Sequence, residues 1–255
     1  MPELPEVETI RLGLLPLISG RVIKSVKISS NAPKLIQHPK QKNDFTNSLR
    51  NQRIETITRR GKYLLIHLAN NLTWIVHFRM TGTMLYRQKN CQKERFCRAT
   101  FQLDNGAHLC YSDVRKLGMM WVVDNNKSIT GKMGPEPLTR KFQSHDFYTS
   151  ISHRRSSIKT VLLDQSVVAG IGNIYADESL FHAKLNPLRL AQDLNKSETK
   201  RLHKSIKHVL RQALGSGGSS FRDYVDVKGE LGQYQLRVRV FRRTGQPCPS
   251  CKTSI

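Results

Sequence analysis

The sequence predicts an α+β protein: an N-terminal β-sandwich led by one helix, then a C-terminal helical domain. Three observations predict it. Residues 3–19 carry a helical period, 22 to about 123 form short alternating runs broken by turn sequences, and 151–214 return to a helical period. In the first stretch Val7, Ile10, Leu14 and Ile18 share one face. Pro2 suits a helix start, Glu3, Glu6 and Glu8 suit its positive end, and Gly20 supplies a stop. In the second, Tyr63–Leu68 and Leu72–Phe78 flank Ala69-Asn70-Asn71, and Thr100–Leu103 and Ala107–Tyr111 flank Asp104-Asn105-Gly106, two hairpin signals. In the third, Ile158, Val161 and Leu162 share a face. Leu202, Ile206, Val209, Leu210 and Ala213 form a stripe that starts after an Asn195/Glu198 capping box and stops at Gly215. Residues 215–230 are Gly- and Ser-rich and read as a mobile loop; Gln235–Arg242 alternates and reads as a strand with Leu236, Val238 and Val240 on one face.

The chain of 255 residues is long enough for two domains with real cores, and its 38% hydrophobic content is that of a globular protein. Its apolar runs are too short to span a membrane, and the acidic N-terminus is unlike a signal or transit peptide, so a cytoplasmic protein is expected. Lys and Arg total 42 against 19 Asp and Glu, a net charge of +23. Such an excess is relieved by a polyanion through phosphate contacts and counterion release, which points to DNA or RNA. A ribosomal-type RNA binder or a protein of anionic membranes fits the charge as well. The five cysteines are not arranged as a disulfide framework. Cys91, Cys97 and Cys110 read as reduced thiols of the β-rich region, and Cys248 and Cys251 form a C-x-x-C.

The chemistry begins at the chain start. A Met before Pro is normally removed, which leaves a secondary amine. An α-amine titrates near pH 8, so part of it is neutral and nucleophilic at pH 7. Attack of a secondary amine on an aldehydic carbon gives an iminium with no N–H to lose, an electron sink that eases proton removal at the next carbon. That is the chemistry of β-elimination on deoxyribose, and Glu3 stands beside it as an acid or base.

Met1-Pro2-Glu3-Leu4-Pro5-Glu6-Val7-Glu8-Thr9 resembles the opening of the formamidopyrimidine-DNA glycosylase family. Four further segments match it in order: Arg60–Leu65 (RGKYLL), His77–Gly82 (HFRMTG), Gly134–Leu138 (GPEPL) and Val168–Tyr175 (VAGIGNIY). The resemblance covers nearly the whole chain and implies a base-excision enzyme for oxidised purines that cuts the strand by β,δ-elimination, a monomer acting on double-stranded DNA. It implies that Pro2 forms the Schiff base at C1′, that Glu3 supplies and removes protons, and that Lys62 acts near the lesion phosphate. Met80, Arg115 and Leu117 fall on residues that fill the hole left by the displaced base, Leu117 standing where the family usually has Phe. Arg154 and Asn173 fall on phosphate contacts, Asn173 in the turn of a helix-two-turn-helix. Glu6, Lys159, Ser219 and Ser220 fall in or over the lesion pocket. By residue type alone, Lys62 reads as a solvated strand lysine, Glu6 as a favourable charge at a helix start, and Met80 and Leu117 as core.

Two departures stand out. Cys248 and Cys251 match the first half of a C-terminal zinc finger, and no second C-x-x-C follows before Ile255. A structural zinc wants four ligands, so no stable zinc site is expected, with weakened lesion binding and impaired scission, δ-elimination most of all. In Glu94–Arg98 (ERFCR) the family's DNA-contacting histidine is missing, and Arg98 is the substitute. The expected organisation is a catalytic β-sandwich at 1–130, a linker at 131–150, a helix-two-turn-helix domain at 151–232 and an incomplete zinc-finger hairpin at 233–255, with DNA in a basic cleft between the domains. Two other readings stay open: a pyrimidine-lesion glycosylase of the endonuclease VIII type, and a DNA-binding protein without effective catalysis.

Overall fold

The computed structural model describes residues 1–88 and 95–255; Cys91 and Glu94 lie outside the described residues. The chain divides into two compact units, one of residues 1–131 with 217–232, the other of 132–216 with 233–255.

The first unit opens with helix α1 (Leu4–Ile18) and continues through β1 (Ile23–Ile28), β2 (Ile36–His38), α2 (Lys42–Leu49), β3 (Ile54–Arg60), β4 (Tyr63–Leu68), β5 (Thr73–His77), β6 (Gly82–Arg87), β7 (Cys97–Leu103), β8 (His108–Asp113), β9 (Met119–Val123) and the short α3 (Lys127–Thr130). One sheet has the order β1-β7-β8-β6, the other β2-β9-β5-β4-β3. All pairings are antiparallel except β2 with β9. Both predicted hairpins form: Leu64 faces Val76 across β4 and β5, and Phe101 faces Leu109 across β7 and β8. The two sheets and α1 share one core. Val7, Ile10, Leu14 and Ile18 lie in it fully buried, and Trp74 of β5 meets Phe101 of β7 with ring centroids 4.2 Å apart. Each such side chain contributes roughly 1.5–3 kcal/mol by leaving water.

The second unit holds α4 (Ser144–Ile151), α5 (Ile158–Leu163), α6 (Asn173–His182) and α7 (Lys196–Gly215). The capping box of α7 forms as read from the sequence: Glu198 N–H donates to Asn195 Oδ1 at 2.9 Å and Asn195 N–H to Glu198 Oε2 at 3.0 Å. The stretch read as a linker is largely built into this unit. Gly134 N–H donates to Gln165 O and Ala169 N–H to Pro135 O, and α4 packs on α7.

Three expectations are corrected. Residues 235–242 form no strand; a single 3₁₀ turn covers Tyr234–Leu236, and Leu236 is 81% exposed. The cause is the buried Glu178 carboxylate, which accepts the N–H groups of Arg239, Val240 and Phe241 at 2.8–2.9 Å and so takes the donors a ladder would need. The loop at 217–232 is anchored rather than loose: Tyr224 and Val227 are buried in the core of the first unit, and Val227 O accepts Tyr86 N–H. Cys110 is disulfide-bonded, whereas Cys97 keeps a reduced thiol as read.

Candidate active site and nucleic-acid interface

The start of α1 gathers the acid–base residues. Pro2 is buried, and Glu3, Glu6 and Lys62 are 3%, 1% and 7% exposed. Glu6 ties the site together. One carboxylate oxygen accepts the Glu3 N–H at 2.8 Å and the other the Ser219 N–H, also at 2.8 Å. The first bond satisfies an orphan donor of the helix start. The second brings the 217–232 loop onto it. Gly218 makes this approach possible: its φ is +83°, and a Cβ there would lie 2.8 Å from Glu6 Oε1. The loop is closed by Ser220 Oγ donating to Tyr224 O at 2.7 Å and by Tyr224 Oη donating to Gly217 O at 3.1 Å.

Electrostatics at this point favour a neutral amine. Burial lowers the Met1 terminal amine below its usual range, against the opposing pull of Glu3, Glu6 and Asp223 and with help from Lys62; the Pro2 nitrogen next to it is buried too. Lys62, in the turn between β3 and β4, is likewise pulled down by burial despite Glu3 and Glu6. His77 ends β5 beside it. Its Nδ1 accepts the Arg79 N–H at 3.1 Å, its ring meets Tyr63 edge-on at 4.6 Å, and burial, then Arg79 and Lys62, push its pKa down to about 3. His77 is therefore neutral at physiological pH with its proton on Nε2, a donor rather than an acid. Sequence reasoning did not single out His77 or Asp223, although His77 opens one of the matching segments.

Met80 and Leu117 stand on the loops between β5 and β6 and between β8 and β9. They are 42% and 41% exposed, and Arg115 beside Leu117 is exposed too. Large apolar side chains exposed at loop tips are not core packing. Arg98 is different. It is 8% exposed, and its Nε donates to Asp113 O at 2.8 Å.

In the second unit Asn173 is exposed at the first turn of α6, which Gly172 caps. Gln165 fixes the approach: its side chain accepts Gly170 N–H at 2.8 Å and donates to Ile171 O at 2.9 Å. An exposed carboxamide at a helix N-terminus is suited to a phosphate. Arg154 is paired with Asp164 at 2.7 Å, and Lys159 with Asp177 at 2.7 Å.

Cys248 and Cys251 sit in a tight turn, with Cys248 N–H donating to Thr253 O at 2.7 Å and Lys252 N–H to Cys248 O at 3.0 Å. Among the described residues no group of three or more His, Cys, Asp or Glu could hold a metal. Two thiols do not make the four-ligand set of a structural zinc, so the residues described do not fit one.

The N-terminal domain model of formamidopyrimidine-DNA glycosylases matches residues 1–120, and the model of their H2TH domain, the helix-two-turn-helix, matches residues 133–225. The chain belongs to the formamidopyrimidine-DNA glycosylase family. A formamidopyrimidine-DNA glycosylase of Desulforamulus reducens is 43% identical over 260 residues, covering 100% of this chain and 93% of its own. One from Listeria monocytogenes is 41% identical with the same coverage. A variant of the Lactococcus lactis enzyme bound to Fapy-dG DNA superposes with a TM-score of 0.91 at 33% identity, covering 100% of this chain and 93% of the other. The L. lactis enzyme on abasic-site DNA gives 0.90 at 33% identity, covering 99% and 93%. The fold of the family is thus the fold of this chain, including the two sheets and the helical domain. Zinc is a feature of the family that the described residues do not reproduce. No helix among the described residues is long and apolar enough to cross a membrane.

Proposed function

We propose that this family member is a base-excision DNA glycosylase that releases oxidised purines, 8-oxoguanine and formamidopyrimidines, from duplex DNA and cuts the strand at the resulting abasic sugar. The observation that carries this reading is the buried set at the start of α1: Pro2, Glu3, Glu6 and Lys62, with both carboxylates in electrostatic reach of Lys62 and of the chain's terminal amine at Met1. Once Met1 is removed, the Pro2 nitrogen attacks C1′ of the damaged nucleotide. The glycosidic bond breaks, and the base leaves with a proton for which Glu3 is the donor. The Glu3 carboxylate then takes the Pro2 N–H proton and returns it to O4′ as the C1′–O4′ bond breaks, which opens the sugar ring and leaves the iminium. The iminium withdraws electrons, a proton leaves C2′, and the 3′ C–O bond breaks with the phosphate as leaving group. Lys62, desolvated and cationic, stabilises charge on the phosphate. Glu6 and the Ser219–Ser220 loop form the pocket wall over the displaced base, Met80 and Leu117 fill the gap in the stack, Arg115 reads the orphaned base, and Asn173 and Arg154 hold flanking phosphates. Lys159, held by Asp177, takes no step. The work is that of a cytoplasmic enzyme on bacterial DNA.

The test uses duplexes carrying 8-oxoguanine, a formamidopyrimidine or thymine glycol, with borohydride present. Excision of the first two and a covalent protein–DNA product are expected. Reaction with thymine glycol alone would instead mark a pyrimidine-lesion enzyme, and binding without cross-linking a non-catalytic protein.

For the metal, we propose that these 255 residues do not hold zinc stably. Metal analysis after gel filtration is expected to find far less than one zinc per chain; a stoichiometric, chelator-resistant zinc would overturn this.

A further inference from the structure

We propose that Thr81 and Asp113 fasten the loop carrying Met80 to the loop carrying Arg115 and Leu117, so that the two act as one blade, and that Thr81 is a positioning residue for displacement of the damaged base. The proposal rests on the assignment of Met80, Arg115 and Leu117 given above.

The tips and the roots of these loops differ sharply. Met80, Val114 and Leu117 project 41–44% exposed, whereas Thr81 and Asp113 beneath them are 8% and 1% exposed. Each loop carries a non-glycine residue in the left-handed region, Arg79 at φ +53° and Lys116 at +57°. Such a conformation is strained and persists only where its surroundings hold it.

A cross-braced network holds it here. The Thr81 hydroxyl donates to Asp113 Oδ1, and its oxygen accepts the Arg115 N–H at 3.0 Å. Arg115 N–H is shared with Asp113 Oδ1 at 3.2 Å, and Asp113 Oδ2 accepts Gly118 N–H at 2.7 Å. The Asp113 carboxylate therefore grips both ends of the Arg115–Gly118 turn, and Thr81 is the strap from the other loop. The Tyr111 hydroxyl wedges between the roots: a Cβ added to Gly82 or Gly118 would lie 2.4 or 1.6 Å from it. Neither loop can shift without disturbing the other. A blade pushed into a base stack needs that stiffness, since misplacement by about 1 Å can cost on the order of 10²-fold in rate.

Thr81→Val keeps the shape and deletes the strap; Thr81→Ser keeps the hydroxyl. For Thr81→Val, kcat/KM for 8-oxoguanine excision is expected to fall about tenfold or more. Scission at a preformed abasic site, which offers no base to displace, should fall much less, and Thr81→Ser should restore excision. Equal losses on both substrates, or unchanged excision, would overturn the proposal. Amide hydrogen exchange at 114–118 reads the fastening without any substrate: it should quicken in Thr81→Val, and an unchanged rate also overturns it. If the wild type itself neither excises nor cross-links, the functional reading fails, while the exchange measurement still decides the brace.

Discussion

A chain that keeps one residue ahead of Pro2 is expected to lose borohydride-trapped product by about 10³-fold or more relative to the processed chain, because its nucleophile is gone. The loss has two physical parts. With Met1 in place the Pro2 nitrogen is an amide, its lone pair delocalised into the carbonyl. The remaining amine belongs to Met1, displaced by one residue, about 3.8 Å between Cα atoms, and it is primary. The pH dependence adds a second readout. Burial dominates the environment of the Met1 amine and lowers it from the ordinary value of 8.0. The Pro2 amine exposed by processing lies one residue further in, at a buried position, so the rising limb of the lyase rate should lie below pH 8. Glu3 and Glu6 both raise the amine. Removing their charge should move the limb to still lower pH, whatever else is lost in rate. Mass spectrometry of the N-terminus fixes which form is assayed, and a retained Met1 that cross-links as well as the processed chain would end the assignment of Pro2.

The parts of the molecule that sequence describes well are those decided by near neighbours. The helix at Leu4–Ile18, the Tyr63–His77 hairpin and the Asn195/Glu198 cap all depend on residues a few positions apart, and each forms where the pattern places it. The misread stretches depend on distant partners. Gln235–Arg242 has the alternation of a strand, yet Glu178, far upstream, takes its N–H groups. The 217–232 loop looks unanchored because its fasteners are Glu6 and the core of another segment. Arg98 is buried against a residue of another strand, Asp113, whose backbone carbonyl accepts its Nε–H. The site divides in the same way. Pro2, Glu3, Glu6 and Lys62 were named from motifs, whereas the Thr81–Asp113 brace and the neutral His77 exist only once strands are paired. Residue type also misleads about burial: Met80 and Leu117 have core chemistry and lie at exposed loop tips.

Lys62→Met should separate stability from activity more widely than any other change at this site. The side chain is 7% exposed, and its pKa is lowered because burial outweighs the attraction of Glu3 and Glu6. The sign follows from linkage. The folded state holds the proton less tightly than the unfolded chain, whose lysine titrates near 10.5. The charge therefore opposes folding fully below the lowered pKa, and that opposition fades as pH rises toward 10.5. Methionine fills nearly the same volume with no charge to desolvate. Its melting temperature should match or exceed that of the wild type at pH 7, by about 2–4 °C for each 1 kcal/mol recovered, and the advantage should shrink at pH 10. Strand scission should meanwhile fall by about 10²-fold or more, the usual scale for removing one preorganised charge from a reaction centre. A variant that melts lower and cuts normally would show Lys62 to be a structural partner of Glu3 and Glu6. The opposite pair of results would mean that the fold bears a buried, strained cation because the chemistry on phosphate requires it there.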